Sequence, residues 1–305
     1  MKNKVRALQE VFANALSLRK IIDYQVYKQL CIHTTSENSK RLNEIGITDK
    51  SYDNNEIIVS LTTYSRRIYQ VHLVIESLLE QTLKPNRIIL WLAQEEFKNI
   101  DDLPLNLSRL CNRGLQIEFC DDLRSYKKLI PALQKYPDSI IITADDDILY
   151  PDDFVERLYK EYRKDSNKIY FYRGHRMSIL DGYLQPYRAW ELETQLEKPS
   201  LLNFPTGCGG VLYTKKLLDD DVLDVETFTK LAPTADDVWF KAMSLKKKIL
   251  CEQIKLECPF REKFIFLDAM DDMGLAKTNL IQNKNDEQII AVFKKYGLYS
   301  IICTQ

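Results

Sequence analysis

Short apolar runs alternate with helical patterns through residues 56–154, and this alternation constrains the fold more than any other feature of the chain. The apolar runs are Glu56 to Leu61, Arg87 to Leu92, Leu115 to Cys120 and Ile140 to Ile142. Each has the length of a strand, and the segments between them place apolar residues at helical spacing. Strands that alternate with helices pair in parallel and are covered on both faces. We therefore predict an α/β fold with a mixed, mostly parallel sheet and helices on both faces.

The fourth of these strands leads without a break into three acids, Asp145, Asp146 and Asp147. Adjacent carboxylates repel one another and are costly to dehydrate, so a core has no use for them. A divalent cation would remove the repulsion, and carboxylate oxygens suit Mg²⁺ or Mn²⁺. In open α/β sheets, ligands bind beyond the carboxyl ends of the strands. We favour a metal site here over the alternative, a solvated turn with incidental acids.

Two other predicted strands also end in polar residues. Thr62 to Arg67 follows the first strand, and Asp121-Asp122 follows the third. Together with the three acids, these groups would suit a nucleotide diphosphate whose two phosphates are bridged by the cation. Neither of the common glycine-rich phosphate loops, GxGxxG and GxxxxGK[ST], occurs in the chain. The metal would therefore have to neutralise the phosphates.

Composition narrows the classes of function. The chain has 305 residues, of which 45% are hydrophobic and 29% charged, which is ordinary for a globular protein. A net charge of -1 gives no support for nucleic-acid binding through bulk charge. The seven cysteines include no CxxC pair, which argues against a disulfide framework and a zinc site. No apolar run approaches the ~20 residues of a membrane span, so we expect a cytoplasmic protein, either soluble or held peripherally at the cell membrane.

The two ends of the chain differ from its middle. Residues 1–32 are predicted to form a basic helix with Leu8, Val11, Phe12 and Ala15 on one side. Such a segment can pack on the main domain, pair with another subunit or lie on an anionic membrane, and we favour packing. Residues 34–55 are polar and predict a loop. The expected division is an extension over 1–54, a main domain over 55–265 with halves at 55–153 and 154–265, and a helical tail over 266–305.

Three further patterns concern turns and helix starts. The segment Phe204 to Gly210 holds three of the chain's nine glycines, so the backbone there must turn tightly or approach something closely. Thr234 to Asp237 is predicted to open a helix that continues through Trp239. Pro151 is predicted to start another helix, with two acids in its first turn, where the helix dipole favours negative charge.

Four segments, taken in order, resemble the GT-A glycosyltransferases, and most closely the bacterial family-2-like enzymes that build capsular polysaccharide or lipopolysaccharide. They are Ile58 to Tyr64, Thr143 to Pro151, Thr206 to Gly210 and Asp236 to Trp239, with Asp121 between the first two. The second segment is similar to the DxD region of capsule-type N-acetylglucosaminyltransferases. The resemblance covers roughly residues 56–265 and implies a GT-A fold, a nucleotide-sugar donor and a Mn²⁺ or Mg²⁺ cofactor.

The resemblance also implies roles for individual residues. Asp147 would be the main metal ligand, and Asp145 would hold the metal or the ribose. The other donor-binding residues would be Thr62, Tyr64, Arg67, Asp121 and Asp146, with Lys127 or Lys128 reaching the base or a phosphate and Gly209 in a loop along the sugars. Asp236 or Asp237 would take the proton of the acceptor hydroxyl, and we favour Asp237.

Each of these assignments has a structural alternative. Thr234 and Asp237 have the spacing of a capping box, so the acids would only cap a helix. Lys127 and Lys128 would lie on the exposed face of a helix. His175 is expected to be packed or hydrogen-bonded, and Tyr187 and Trp190 either stack on a sugar or belong to the core. A second acid triplet, Asp219 to Asp221, is predicted to be a solvated turn.

The function that this sequence favours is metal-dependent transfer of a hexosyl or N-acetylhexosaminyl group, from a UDP-sugar or related donor to a hydroxyl of a surface glycan or lipid-linked saccharide. Inversion at the sugar carbon is expected. Two other classes stay open: a nucleotidyltransferase or phosphohydrolase that uses the same acids, and a non-catalytic sugar-binding protein. An oligomer is also open.

Overall fold

The computed structural model describes residues 2–196, 198–267 and 284–303, with side chains described from residue 18 onward. Its strands are β1 (Ile57–Thr62), β2 (Arg87–Ala93), β3 (Leu115–Cys120), β4 (Ile140–Ala144), β5 (Ile148–Leu149), β6 (Ile169–Phe171), β7 (Gly174–Arg176), β8 (Ile179–Leu180), β9 (Tyr183–Leu184), β10 (Asn203–Pro205), β11 (Val211–Tyr213), β12 (Cys251–Gln253) and β13 (Ile265–Phe266). Its helices are α1 (Lys2–Arg41), α2 (Val71–Leu79), α3 (Leu105–Cys111), α4 (Ile130–Lys135), α5 (Phe154–Lys164), α6 (Val225–Leu231), α7 (Asp236–Lys246), α8 (Phe260–Lys263), α9 (Lys284–Tyr296) and α10 (Tyr299–Ile302). A 3₁₀ turn, Arg124–Lys128, precedes α4.

Seven of the described strands form the main sheet, in the order β12-β6-β11-β4-β1-β2-β3. β1 lies between β2 and β4 and is parallel to both, and β2 is parallel to β3. β11 runs antiparallel to its neighbours β4 and β6, and β12 is parallel to β6. The chain thus extends the sheet from β1 to β3 and then crosses back to the other side of β1. The predicted mixed, mostly parallel α/β fold is confirmed, and the crossing creates a topological switch point between β1 and β4.

The central strands are buried on both faces because their side chains alternate between two cores. In β1, Ile58 belongs to one core and Val59 to the other; in β4, Ile141 and Ile142 divide in the same way. All four side chains are fully buried. Burial of a side chain of this size stabilises the fold by about 1.5–3 kcal/mol. One core is covered by α2, α3 and α5, and the other by α4, α7 and α9.

The N-terminal helix is longer than the sequence predicted. α1 runs to Arg41, so the loop predicted for residues 34–55 begins only after it. Polar residues continue the helix because they find partners: Asn38 donates a 2.7 Å hydrogen bond to Glu80 at the end of α2, and the Ser39 hydroxyl donates to the Ser36 carbonyl. The predicted apolar side formed by Leu8, Val11, Phe12 and Ala15 lies outside the described side chains.

One helix begins later than the sequence predicted. α5 begins at Phe154, so Asp152 and Asp153 precede the helix and do not lie in its first turn. Asp153 instead accepts a 2.7 Å hydrogen bond from Lys263.

The predicted C-terminal helix is present as α9, which packs on α7, whereas residues 268–283 of the predicted tail lie outside the described part of the chain. Within the described residues, no helix combines the length and the apolar content that crossing a membrane requires.

Candidate functional site

A cavity of about 790 Å³ opens at the switch point, beyond the carboxyl ends of β1 and β4. Thr62 and Thr63 stand at the end of β1, and Asp145 follows the last residue of β4. The cavity is also lined by the segment before β11 and by the start of α7. Its charged lining residues are Arg66, Arg67, Glu96, Asp122, Arg124, Lys127, Lys128, Asp145, Asp146, Asp147, Arg173, Glu193, Asp236, Asp237 and Arg261. Residues from both halves of the chain therefore line one cavity.

Asp146, the middle acid of the triplet, is a structural anchor. Its two oxygens accept hydrogen bonds from the Thr63 hydroxyl and from Nη1 of Arg67, both at 2.6 Å. The side chain is buried, and burial raises the pKa of Asp146 although Arg67 and Thr63 oppose the rise. These bonds tie the end of β4 to the segment after β1, and so fix the acids on either side of Asp146.

Asp147 shares the same guanidinium, because Nη1 of Arg67 lies 2.9 Å from its Oδ2. Burial raises the pKa of Asp147 to about 6, and the neighbouring Asp145 adds to the rise. Arg67 opposes it but does not cancel it. Asp146 and Asp147 share one guanidinium, so these two acids carry more negative charge than Arg67 neutralises, which is the electrostatic condition that favours a bound cation.

Lys128 holds the acids of the two halves together. Its Nζ lies 3.0 Å from Oδ1 of Asp145 and 3.2 Å from Oδ2 of Asp236. Burial would lower the pKa of Lys128, but Asp145, Asp236 and Asp237 raise it well above its ordinary value. Lys127 is buried as well and donates a 2.6 Å hydrogen bond to Asp122. The alternative in which both lysines lie on an exposed helix face is wrong, because both side chains are buried, Lys128 against Asp145 and Asp236 and Lys127 against the nearby Asp122.

Asp236 and Asp237 begin α7 but are held differently. Oδ1 of Asp236 accepts a 2.9 Å hydrogen bond from the Ser125 hydroxyl, and its other oxygen faces Lys128. Oδ1 of Asp237 accepts a 2.8 Å hydrogen bond from the backbone N–H of Gly207. Burial raises the pKa of Asp237 to about 7, with Asp236 contributing and Lys128 opposing. Asp237 is therefore a carboxyl group that exchanges its proton near neutral pH.

The capping-box alternative for these acids is wrong. The residue before α7 is Ala235, and no side chain caps the helix. Thr234 instead directs its backbone N–H to Oε1 of Gln288, at 3.0 Å. The contacts of the two acids run to Ser125, Lys128 and Gly207 across the cavity wall, which a sequence pattern confined to residues 234–237 does not reveal.

The glycines before β11 allow close approach. A Cβ on Gly207 would lie 2.3 Å from Nζ of Lys128 and 3.1 Å from Oδ1 of Asp237. Gly210 has φ +95°, and a Cβ there would lie 2.5 Å from the Phe154 ring. Gly209 also has positive φ, but it packs towards Phe260 and is not among the lining residues. The loop therefore fits against Lys128 and Asp237 through Gly207 rather than through Gly209.

Of the other residues predicted for donor binding, Thr62, Tyr64 and Arg67 line the cavity, with the Arg67 guanidinium 5.6 Å from the centre of the Tyr64 ring. The Thr62 hydroxyl donates to the Trp91 carbonyl at 2.9 Å. Asp121 is exposed and is not among the lining residues, whereas its neighbour Asp122 is. The polar end of β3 thus reaches the cavity one residue later than the sequence predicted.

The far wall of the cavity contains groups that the sequence left undecided or missed. His175 is buried, its Nδ1 accepts a 2.9 Å hydrogen bond from the backbone N–H of Glu193, and burial lowers its pKa to about 4. The prediction of a packed, hydrogen-bonded histidine is confirmed. Tyr187 and Trp190 are buried in the core, although Tyr187 also reaches the lining. Arg173, which pairs with Glu193 and donates to the Thr206 hydroxyl, was missed because nothing near it in the sequence marks a site.

The second acid triplet serves as an internal comparison. Asp219 and Asp221 both pair with Lys246 at 2.6 Å, Asp219 just before a 3₁₀ turn and Asp221 within it, and Asp220 is exposed. None of the three lines the cavity. Of the two acid triplets, the one that directly follows a buried strand, Asp145 to Asp147, lines the cavity.

The residues present fit a divalent cation that is held partly by its substrate. Among the described residues, no three His, Cys, Asp or Glu side chains gather around a point that could hold an ion. Mg²⁺ in nucleotide enzymes commonly takes one or two carboxylates and completes its shell with phosphate oxygens and water. Asp145 and Asp147 flank the anchored Asp146 and line the cavity, and they would supply this smaller set of ligands.

Comparisons with known proteins give limited matches. No protein-family model and no curated protein matches the chain. Similar solved structures include the mannosyltransferase PcManGT from Pyrobaculum calidifontis in complex with GDP-Man and Mn²⁺, at 12% identity and a TM-score of 0.49, covering 92% of this chain and 78% of that one. S. aureus TarS 1-349 in complex with UDP matches at 12% identity and a TM-score of 0.45, covering 66% of this chain and only 58% of TarS 1-349. Likenesses this distant carry no inference about activity, so the function is inferred below from the cavity itself.

Proposed function

We propose that the protein is a metal-dependent glycosyltransferase that moves a sugar from a nucleotide-diphosphate donor to a hydroxyl group of an acceptor. One observation carries the proposal: the paired acids Asp236 and Asp237 and the acid triplet Asp145 to Asp147 line the same cavity at the switch point of the sheet. Ligands of open α/β sheets bind at this position. The resemblance of four segments to GT-A glycosyltransferases agrees with this function.

The donor would occupy the side of the cavity formed by the ends of β1 and β4. Tyr64, 38% exposed, offers a ring face on which a base can stack. Asp145 and Asp147 would hold the cation, which supplies Lewis-acid stabilisation of the negative charge that develops on the leaving diphosphate. Arg67 keeps the pKa of Asp147 from rising further, so that this carboxylate stays ionised at neutral pH. Lys128 fixes Asp145 in the cavity wall through its 3.0 Å contact.

The acceptor would enter from the side of α7. Glycosyl transfer passes through an oxocarbenium-like state, and a carboxylate on the opposite face of the sugar can accept the proton of the attacking hydroxyl. Asp237 fits this role better than Asp236, because its pKa is close to neutral and Gly207 orients one of its oxygens. Asp236, bound by Ser125 and Lys128, would position the base instead. Such an arrangement gives a single displacement with inversion.

The finer features of the proposal follow the sequence resemblance. The donor would be a UDP-sugar with a hexosyl or N-acetylhexosaminyl group, and the acceptor a capsular or lipopolysaccharide glycan or a lipid-linked saccharide. A screen of UDP-, GDP-, CMP- and dTDP-sugars for metal-dependent hydrolysis, with product analysis, distinguishes among donors. Release of inorganic phosphate or transfer of a nucleotidyl group in that screen would instead identify a phosphohydrolase or a nucleotidyltransferase.

Calorimetric titration of UDP with and without Mn²⁺ tests the proposal directly. We expect binding that requires the metal, and loss of that binding in Asp147→Ala. Asp220→Ala is the matched control, because it removes an exposed acid from the triplet that lies outside the cavity. Metal-independent binding, or equal binding by the Asp147 variant and the control, would contradict the proposed metal site.

A further inference from the structure

Residues 18–30 of α1 expose an unusual amount of apolar surface. Six side chains within thirteen residues are each between 50% and 63% exposed: Leu18, Ile21, Ile22, Val26, Tyr27 and Leu30. Leu18, Ile22, Val26 and Leu30 recur every four residues, so they form one continuous row along the helix. At 1.5 Å per residue this row is about 18 Å long. We call these six side chains the apolar stripe. Contiguous exposed apolar patches of this kind mark surfaces that bind a partner or a membrane.

Side chains outside the stripe hold α1 to the protein. Tyr24, Cys31 and Ile32 pack against the core on the side of α2. The Tyr24 hydroxyl donates a 2.9 Å hydrogen bond to the carbonyl of Arg261, a residue that lines the cavity. α1 is thus fixed beside the cavity, with the stripe exposed.

The charge of the segment indicates what the stripe contacts. Residues 1–41 contain eight Lys or Arg against three Asp or Glu, a net charge of +5, whereas the remaining residues carry a net charge of -6. Arg19, which pairs with Asp23 across one helical turn, is highly exposed. An exposed apolar row on a segment of net positive charge is complementary to a surface that is both apolar and negatively charged, which is the chemistry of an anionic lipid bilayer.

A second copy of the chain is the other candidate occupant, and the spacing of the stripe argues against it. Paired helices need apolar residues at alternating steps of three and four. The seam of a coiled coil is formed by positions a and d of the heptad. In each of the seven possible registers, at least one of these positions within residues 18–30 is a Gln, Lys, Arg or Asp. Gln25 and Gln29, for example, occupy seam positions in the register that contains Leu18 and Ile22. The four-residue row suits a broad, flat surface better than the narrow seam of a coiled coil.

We propose that the apolar stripe of α1 binds an anionic lipid surface, which places the mouth of the cavity beside that surface. We call this contact with the membrane the seat. The seat itself does not depend on the chemistry of the cavity. If the proposed transferase function holds, the seat would bring the cavity to acceptors that are anchored in the membrane. The inference therefore favours a lipid-linked saccharide over a free glycan as the acceptor.

Sedimentation with vesicles tests the seat on the full-length protein. Wild type is compared on phosphatidylcholine vesicles and on vesicles of phosphatidylcholine with phosphatidylglycerol. The stripe variant is Ile22→Glu with Val26→Glu, and its control is Leu180→Glu with Tyr183→Glu, which adds the same charge at apolar residues that are 61% and 74% exposed elsewhere. We expect at least about tenfold stronger binding to the anionic vesicles, weakened by salt, and at least about a tenfold loss in the stripe variant only.

The outcomes separate the candidate occupants. Equal loss in the stripe variant and the control, or no binding by wild type, would overturn the proposal. So would a wild-type dimer, seen by light scattering, that becomes a monomer in the stripe variant. Circular dichroism and the melting temperature confirm that each variant folds, and UDP binding with Mn²⁺ is measured separately. A failure of the seat is thereby distinguished from a failure of the proposed function.

Discussion

The backbone N–H of Gly207 donates a 2.8 Å hydrogen bond to Oδ1 of Asp237, across a separation of 30 residues. The bond joins the loop before β11 to the first turn of α7. The position of Asp237 in the cavity therefore depends on that loop as well as on its own helix. Lys128 lies against the same loop, so the three groups form one unit.

Gly207→Ala should reduce turnover while leaving the protein folded. The added Cβ would lie 2.3 Å from Nζ of Lys128, which must move away from Asp145 and Asp236. Because Nζ ends a flexible side chain, the fold can absorb the shift, but the acids lose their common cation. We expect a rate of transfer or donor hydrolysis lower by about tenfold or more.

Gly182→Ala is the control for Gly207→Ala. Gly182 has φ +79° and nothing within 4 Å of an added Cβ, so the substitution strains the backbone without touching the cavity. It should lower the melting temperature and leave the rate unchanged. Unchanged turnover in Gly207→Ala would show that the loop does not position the acids.

Asp237→Asn should remove most of the activity and its pH dependence. A general base typically contributes 10²–10⁴-fold, so we expect a loss of about that size. The base works in its ionised form, and the pKa of Asp237 is about 7, so the wild-type rate should rise with pH through about 7. The residual rate of the variant should lack this rise. A full rate in Asp237→Asn, with a low rate in Asp236→Asn, would exchange the roles of the two acids.

The stability of the wild-type protein should fall over the pH range in which its activity rises, and Asp237→Asn should lack this fall. The pKa of Asp237 is raised in the folded state, so its carboxyl group favours folding at low pH and loses that contribution as the pH rises through about 7. Asn does not ionise, so the variant does not lose stability as the pH rises in this way. At pH 8 the variant should melt a few degrees above wild type, and the difference should vanish as the pH falls below the ordinary pKa of Asp. A lower melting temperature at pH 8 would contradict the assigned shift.

Arg67→Gln should move the pH at which the metal binds. Arg67 opposes the rise in the pKa of Asp147, so its removal raises that pKa above about 6. Protons then compete with Mn²⁺ over a higher pH range, and metal-dependent UDP binding should weaken at pH 6.5 more than at pH 8. Arg163→Gln, which breaks an exposed pair with Asp53, is the control. An equal loss of binding at both pH values would instead indicate that Arg67 contacts the nucleotide.

Glu76→Gln should destabilise the fold far from the cavity. Both oxygens of Glu76, which is fully buried in α2, accept from Nη1 of Arg113, at 2.7 and 2.6 Å. Removing one partner of a buried ion pair costs about 3–5 kcal/mol. Glu56→Gln, which breaks a partly exposed pair with Arg87, should cost about 0–1 kcal/mol. Denaturant unfolding measures both values, and equal losses would contradict this difference.

The sequence predicted the elements whose signal is local. The strands from Ile57, Arg87, Leu115 and Ile140 appeared as apolar runs because both faces of the sheet are covered. The acids after β4 were predicted to belong to a site because a buried strand led directly into them. The parallel order of these strands then required their polar ends to meet at one edge.

What the sequence did not predict depends on contacts between distant elements. Lys128 is buried because Asp145 and Asp236, from two other elements, pair with it. Arg173 and Ser125 line the cavity without any local pattern that marks them. α1 extends past residue 34 because Asn38 finds Glu80 on α2, which helix propensity alone does not show. A periodic pattern in the sequence describes a single helix or strand, whereas each of these features requires contacts between separate elements.

The reversed direction of β11 has a consequence for how the activity of such a protein can diversify. A strand that runs against its neighbours begins where they end, so the loop that enters β11 lies at the same edge as the acids after β4. Insertions or exchanges between Pro205 and Val211 would therefore reshape the space around Asp237 directly, while the ladder of the sheet keeps its register. Selectivity for the incoming substrate could be re-engineered at this loop without touching the strands that hold the protein together.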